Sequence, residues 1–294
     1  MIKKINYSLI IPHKNRIDLL KRCLDSIPFR DDIEIIIIDD NSDPDIIDFN
    51  NFPGKNISNI KIILTKEGKG AGYARNIGLK IALGYWLIFA DSDDYFADNF
   101  MDHFDKYLNS NYDMIYFGIY RINKENENNN IICNKYDDLM YDAINNKNYD
   151  AYKYTAYVPW GKIIKKNMIV DNNILFDETI VANDRMFSLK TAYHAKNIFF
   201  DQTKIYVYNP EDSYLTKINS IQADFDRFFV YIRINSFLND INKKKYKVNI
   251  LPLLKKIILQ LSFIYFYKVI YLLIKYKINL INEYNNFYIK NEIN

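Results

Sequence analysis

The sequence predicts an α/β fold: a mostly parallel central sheet flanked by helices, with a helical appendage at its C-terminal end. Three observations carry this prediction. Ile33-Glu-Ile-Ile-Ile-Ile-Asp39 is a nearly unbroken β-branched run, the pattern of a strand buried on both faces. Strand-length apolar runs at Tyr7–Pro12, Ile33–Asp39, Ile60–Thr65 and Trp86–Ala90 alternate with segments of helical spacing, which calls for parallel strands joined by right-handed crossovers. Each run also stops at polar residues, so the polar ends gather along one sheet edge, where open α/β sheets hold ligands.

Taken in order, Tyr7-Ser-Leu-Ile-Ile-Pro12 is a strand that stops at a proline, and Arg16 to Ser26 follows with Ile17, Leu20 and Leu24 at helical spacing. The glycines of Gly68-Lys-Gly-Ala-Gly72 come after the third strand and not the first, so they do not make a dinucleotide fingerprint. They would instead let the backbone approach a nucleotide, with Arg75 on the following helix facing phosphate or pairing with an aspartate. Trp86-Leu-Ile-Phe-Ala90 ends abruptly in Asp91-Ser-Asp-Asp94, a helix is expected from near Asp98, and Met114 to Tyr120 reads as another strand. Asn123-Lys-Glu-Asn-Glu-Asn-Asn-Asn130 reads as a solvated loop. An apolar helix is expected from just after Asp184 to about Ala195.

The acidic segment holds the most chemistry. Asp91, Asp93 and Asp94 crowd three carboxylates into four residues, and unpaired they would raise one another's pKa. Solvent or a cation must offset them, and hard oxygen ligands favour Mg²⁺ or Mn²⁺. The segment therefore reads as a metal and diphosphate site, or as a turn and helix cap built from residues that favour both. If the strand persists that far, alternation sets Asp91 and Asp93 on the same side.

Composition is consistent with one α/β domain plus an appendage. The chain has 294 residues, 49% hydrophobic, with a net charge of +3, enough to bury a substantial core. Cys23 and Cys133 form no metal or disulfide spacing, and no signal peptide is expected at the start, so a reduced, cytoplasmic setting is anticipated. From Ile241 onward there are 10 lysines and 2 glutamates, a balance of +8. Within it, Leu251 to Ile274 has helical character, and its longest charge-free run, Ile257 to Tyr267, falls short of the about 20 apolar residues that span a bilayer. Helical projection clusters Lys256, Gln260, Lys268 and Lys275 on one side. That pattern reads either as a helix lying on an anionic membrane surface or as one packing its apolar face on the domain. The segment has no arginine and its aromatics sit among aliphatics, so nucleic acid is not an expected partner.

Ser8-Leu-Ile-Ile-Pro12, Ile38-Asp-Asp-Asn-Ser42, Gly72-Tyr-Ala-Arg-Asn-Ile-Gly-Leu79 and Asp91-Ser-Asp-Asp94 come in the order and approximate spacing of family 2 of the inverting glycosyltransferases, which the chain resembles. Val158-Pro-Trp-Gly-Lys162 and Val181-Ala-Asn-Asp-Arg-Met-Phe187 look like the second half of that domain in bacterial members that build surface polysaccharides. The resemblance covers roughly residues 6–210 and implies the GT-A nucleotide-sugar-binding fold, which sets a domain at 1–215; the basic amphipathic helical region read from charge and projection then occupies 216–294. It implies that Asp40 accepts the uracil imide proton, that Pro12 and His13 border the base, and that Asn15, Arg75, Asp91, Ser92 and Asp93 belong to the nucleotide-sugar site. His13 departs from the aromatic residue usual there. Asp93 or Asp94 would ligate Mn²⁺ or Mg²⁺. Asp184 matches the catalytic carboxylate, with Asn183 where the family usually has Glu; its plainer reading is a helix cap. Trp160 and Lys162 would meet the acceptor, although Trp160 suits a core position equally well.

The implied activity is metal-dependent, inverting transfer of a sugar from a UDP-sugar to a hydroxyl of a growing surface glycan. The acceptor would be lipid-linked, at the inner face of the cell membrane. A sugar-nucleotide pyrophosphorylase is one rival, but a glycine-rich loop would then follow the first strand, where Pro12-His-Lys-Asn15 stands. The other is a non-catalytic glycan-binding or scaffold protein of the same fold.

Overall fold

The structure is a computed structural model that describes residues 4–122, 131–132, 135–210, 218–260 and 263–284. The Asn123–Asn130 loop and Cys133 lie outside the described residues. In chain order the elements are β1 (Tyr7–His13), α1 (Ile17–Asp25), β2 (Ile33–Asp39), β3 (Ile60–Leu64), α2 (Ala71–Ile81), β4 (Trp86–Phe89), β5 (Tyr95–Phe96), α3 (Phe100–Asp105), β6 (Met114–Ile122) and β7 (Ile131–Ile132). They continue with α4 (Lys135–Asn145), α5 (Tyr149–Thr155), β8 (Lys162–Lys165), α6 (Lys166–Asp171), α7 (Arg185–His194), β9 (Ile198–Tyr208), α8 (Ile221–Asp240), α9 (Leu251–Leu259), α10 (Phe263–Lys275) and α11 (Leu280–Tyr284).

The sheet runs β3-β2-β1-β4-β8-β6-β9-β5, with β7 beside β6. Its first half, β3-β2-β1-β4, is parallel throughout, and its second half mixes antiparallel pairs with the parallel β6–β9 pair. Register sets His13 opposite Asp39 and Ile10 opposite Phe89, so the ends of β1, β2 and β4 lie along one edge.

Strand alternation divides the core. Leu9, Ile11, Ile35, Ile37 and Ile88 face a layer containing Leu20, Cys23, Phe100 and Phe104. Ile10, Ile36, Ile38 and Phe89 face Ala74, Ala143, Tyr152, Ile169 and Phe187 on the opposite side. Each such fully buried apolar side chain contributes about 1.5–3 kcal/mol relative to exposure, so both faces of β1 and β2 are held firmly and the polar edge is fixed in place.

Two readings that the sequence left open bear on these elements. β4 ends at Phe89, and Asp94 N–H donates to the Asp91 carbonyl at 3.1 Å; residues 91–94 form a turn and not a continuing strand, so alternation does not govern the side chains there. The C-terminal segment is two helices, α9 and α10, packed against α8. Lys256 Nζ lies 2.9 Å from Asp224, Gln260 Nε2 donates to Asp224 at 3.1 Å, and Lys268 sits over Phe225. These polar groups turn toward α8 because Asp224, 1% exposed, requires positive and donor groups around it. Phe263, Ile264, Tyr267, Tyr271 and Ile274 face outward instead. No helix among the described residues is long and apolar enough to cross a membrane.

Candidate active site

The ends of β1 and β2 carry an ordered polar cluster. His13, buried, uses both ring nitrogens: Nδ1 is 2.8 Å from Asp39 Oδ2, and Nε2 accepts from the Arg16 N–H at 3.1 Å. The Arg16 bond requires a lone pair on Nε2, so the proton is on Nδ1 and is donated to Asp39. Burial raises the Asp39 pKa, but hydrogen bonds from His13 and Ser42 outweigh it and hold the carboxyl below its ordinary value. Asn15, in a left-handed conformation, donates its N–H to Ser42 Oγ and accepts from the Asp43 N–H. These contacts hold the β1 and β2 loops together, with Pro12 buried opposite Ile38.

Asp40 is different. Its Oδ2 accepts the Gly70 N–H at 2.8 Å and lies 3.7 Å from Lys14 Nζ. Its Oδ1 is buried without a hydrogen-bond partner, and a buried carboxylate oxygen left so is costly unless a ligand supplies the donor.

At the end of β4, single oxygens of Asp91, Asp93 and Asp94 lie within 4.8 Å of one another. Asp94 is the anchored member: Tyr206 Oη donates to Oδ2 at 2.8 Å and the Asn209 N–H to Oδ1 at 2.9 Å. Burial, then the charges of Asp93 and Asp91, push its pKa well up. Arg22 donates to the Asp93 carbonyl, and the Asp91 N–H donates to Tyr206 Oη at 2.9 Å. Ser92 is half-buried in the same turn. An all-oxygen donor set this crowded fits a hard divalent cation.

Arg75 joins this turn to the far half of the chain. From α2 it donates to Asp91 and, at 2.9 Å, to Asn183 Oδ1, with its guanidinium over the Phe176 ring. The glycine expected to admit a nucleotide admits this chain's own backbone: a Cβ on Gly72 would stand 1.9 Å from the Asp177 carbonyl oxygen. α2 therefore packs directly on the 177–183 segment.

That packing delivers Asp184 to the site. It precedes α7, but its side chain makes no capping bond, so the cap reading does not describe it. Asp184 and Asp91 line one cleft of about 570 Å³, together with Arg75, Asn183 and Trp160. Burial raises the Asp184 pKa, Arg75 and Arg185 pull it back, and Asp91 raises it again.

Trp160 is 4% exposed and stacks on Tyr206 and Tyr208, each 5.2 Å away; one side of it is core, the other part of the cleft wall. Lys162 is 1% exposed and is not among the cleft-lining residues. Its ammonium has no hydrogen-bond partner and lies 5.1 Å from the Tyr116 ring. Burial lowers its pKa to about 7, against the opposing pull of Asp184.

Several site residues were not singled out from the sequence. Tyr206 and Tyr208, two apart on β9, share a face by alternation, but nothing local says that this face meets Trp160 and Asp94. Arg185 stands next to Asp184 in sequence, and that adjacency was the available signal. Asn183, noted only as a departure, is the second acceptor for Arg75.

A half-parallel sheet whose edge presents a carboxylate cluster, with a further carboxylate across a cleft, defines the GT-A class of nucleotide-sugar-binding folds. The chain belongs to glycosyl transferase family 2, whose family model matches residues 8–170. It is 28% identical over 216 residues to a poly(ribitol-phosphate) beta-glucosyltransferase of Bacillus spizizenii, covering 68% of this chain and 32% of that protein. It is 26% identical over 223 residues to the uncharacterized glycosyltransferase EpsJ of Bacillus subtilis, covering 72% and 63%. The chain thus spans about a third of the first relative and under two thirds of the second. Its fold is similar to that of S. aureus TarS residues 1–349 in complex with UDP-GlcNAc, with a TM-score of 0.66, 22% identity, and coverage of 84% of this chain and 72% of that one.

Proposed function

We propose that this protein is a metal-dependent inverting glycosyltransferase that moves a sugar from a UDP-sugar to a hydroxyl of a growing surface glycan. The observation that carries this reading is the pairing of Asp184 with the Asp91 turn across one cleft, because inversion needs a base on the face opposite the leaving group. Asp184 takes the proton of the incoming hydroxyl. Burial raises its pKa above the ordinary carboxylate value, which makes the carboxylate a better proton acceptor.

The partnerless Oδ1 of Asp40 supports a uracil-type base, whose imide N–H is the donor this oxygen lacks. Asp93, with Asp91 beside it, would hold the cation. Asp94, fixed by Tyr206 and Asn209, orients the turn. When bound there, Mn²⁺ or Mg²⁺ supplies charge stabilisation for the departing diphosphate. Arg75 positions Asp91 and the 177–184 segment relative to each other.

The outward apolar ridge of α10, with Lys255, Lys275 and Lys277 exposed on or just after α9 and α10, supports attachment to the anionic inner face of the cell membrane, where a lipid-linked acceptor would lie. The mixed apolar and cationic chemistry matches that surface better than it matches an aqueous one.

The central test is Asp184→Asn. Nucleotide release from a panel of UDP-sugars with Mn²⁺ and acceptor extract should fall by about 10²–10⁴-fold, while UDP affinity by calorimetry stays within about threefold. Unchanged turnover removes Asp184 from the chemistry. Release of pyrophosphate from a nucleoside triphosphate would support the pyrophosphorylase reading instead, and a protein that turns over no donor would be a scaffold.

A further inference from the structure

The cleft in front of Asp184 carries more positive charge than the donor needs. Its walls include Arg75, Arg121, Lys135, Arg185 and Arg227 against two carboxylates, Asp91 and Asp184. Arg75 is committed to Asp91 and Asn183, and Arg227 lies 3.4 Å from Asp224 and donates to the Ile218 carbonyl. Arg121 on β6, Lys135 at the start of α4 and Arg185 at the start of α7 have no carboxylate partner among the described residues. The negative charge of a nucleotide diphosphate is largely matched by its divalent cation, so the loaded donor does not offset these three.

A second, independent observation points the same way. Tyr157, 9% exposed, lines the cleft with its hydroxyl buried and unpartnered, a donor waiting for an acceptor atom. The Arg185 guanidinium is held over the rings of Tyr231 at 4.7 Å and Tyr157 at 5.6 Å, which fixes a cation beside Asp184 without neutralising it. Lys135 is held in the same field: burial and then the charge of Arg185 lower its pKa. Like charges lining one cleft repel, as the effect of Arg185 on Lys135 shows, and a bound anion would relieve that repulsion.

Resting on the glycosyl-transfer reading, we infer that the acceptor is a polyanionic glycan, whose phosphodiester or carboxylate groups are gripped by Arg121, Lys135 and Arg185 while an adjacent hydroxyl meets Asp184. Tyr136, Tyr208 and Tyr231, also on the cleft wall, would add aromatic surface for the neutral carbon backbone between the charges.

The test is calorimetric binding of three probes to the full chain: a synthetic glycerol-phosphate hexamer, an oligogalacturonate of similar length and maltohexaose. The hexamer, the oligogalacturonate or both should bind at least tenfold more tightly than maltohexaose, and the stronger of the two names the anion. That affinity should fall steeply as salt rises from about 50 to about 200 mM, because added salt reduces the entropy gained when binding releases counterions, and the double variant Arg121→Gln/Lys135→Gln should lower it at least tenfold. Binding should persist with UDP and Mn²⁺ at saturation. Equal affinity for maltohexaose, an unaffected double variant or competition by UDP would each overturn the inference, the last by giving the three cations to the donor. Donor hydrolysis without acceptor separates the two readings. A protein that consumes UDP-sugar but does not prefer anions defeats only this inference. One that prefers anions through these residues but consumes no donor defeats glycosyl transfer.

Discussion

Lys162 is buried, without a hydrogen-bond partner and within the electrostatic reach of Asp184, and its energetics set a test at the scale of one residue. Its pKa in the folded protein is about 7, against 10.5 for a free lysine. Above 10.5 neither state is protonated and the group is neutral in effect. As pH falls toward 7 the unfolded chain takes up the proton first, so stability drops across that window, and below 7 the full cost is present. Lys162→Met should therefore raise stability at pH 7 by about 1–3 kcal/mol and flatten the dependence of the unfolding midpoint between pH 7 and 10. A variant that melts earlier, with the slope retained, would show that the ammonium has a partner of consequence. Asp40, Arg75, Asp91 and Asp184 could be singled out because each sits in a short motif that the family resemblance marks, and the structure sets Arg75, Asp91 and Asp184 on one cleft and Asp40 against the Gly70 N–H. The state of Lys162 was not legible in the sequence, since it follows from burial beside Tyr116 on β6, a strand distant in sequence. Trp160 was half legible: its two stacking partners lie 46 and 48 residues downstream.

At the scale of elements, the contact between α2 and the 177–183 segment decides whether the site assembles. Helix propensity alone would favour alanine over glycine at position 72 by about 1 kcal/mol. The Asp177 carbonyl occupies the space a Cβ would take, and the sign reverses. Gly72→Ala should destabilise by about 1–3 kcal/mol and lower turnover beyond what the loss of folded protein explains. Differential scanning fluorimetry beside a nucleotide-release assay reads both. An unchanged melting temperature would mean that the segment yields without cost. The strands of the parallel half were readable because burial on both faces leaves an uninterrupted apolar run. The end of β4 was read to within one residue, Ala90 against Phe89, but whether the strand or a turn carried the three acids was open because turn residues and strand ends look alike after an apolar run. The facing of α9 and α10 was hidden for another reason: projection finds two faces but not which one meets Asp224 on α8.

At the scale of the molecule, the exposed ridge of Phe263, Ile264, Tyr267, Tyr271 and Ile274 is a large apolar area to leave in water. On the membrane reading, the protein should co-sediment with vesicles containing phosphatidylglycerol and much less with phosphatidylcholine alone. Phe263→Asp with Tyr267→Asp should reduce recovery on the anionic vesicles at least fivefold. Equal recovery of both proteins would leave the ridge to some other role. Sequence composition foresaw the excess of lysine in this region, but not that several of its polar residues would be spent holding helices together while the oily side turned out.

The Arg75 bridge ties Asn183 to Asp91 across the middle of the chain; on the glycosyl-transfer reading it would fix the gap between proton acceptor and leaving group before any substrate arrives. Alternative sugars would then have to conform to an opening of set width. Selectivity among donors would show itself as rejection at the door and not as slower chemistry once inside.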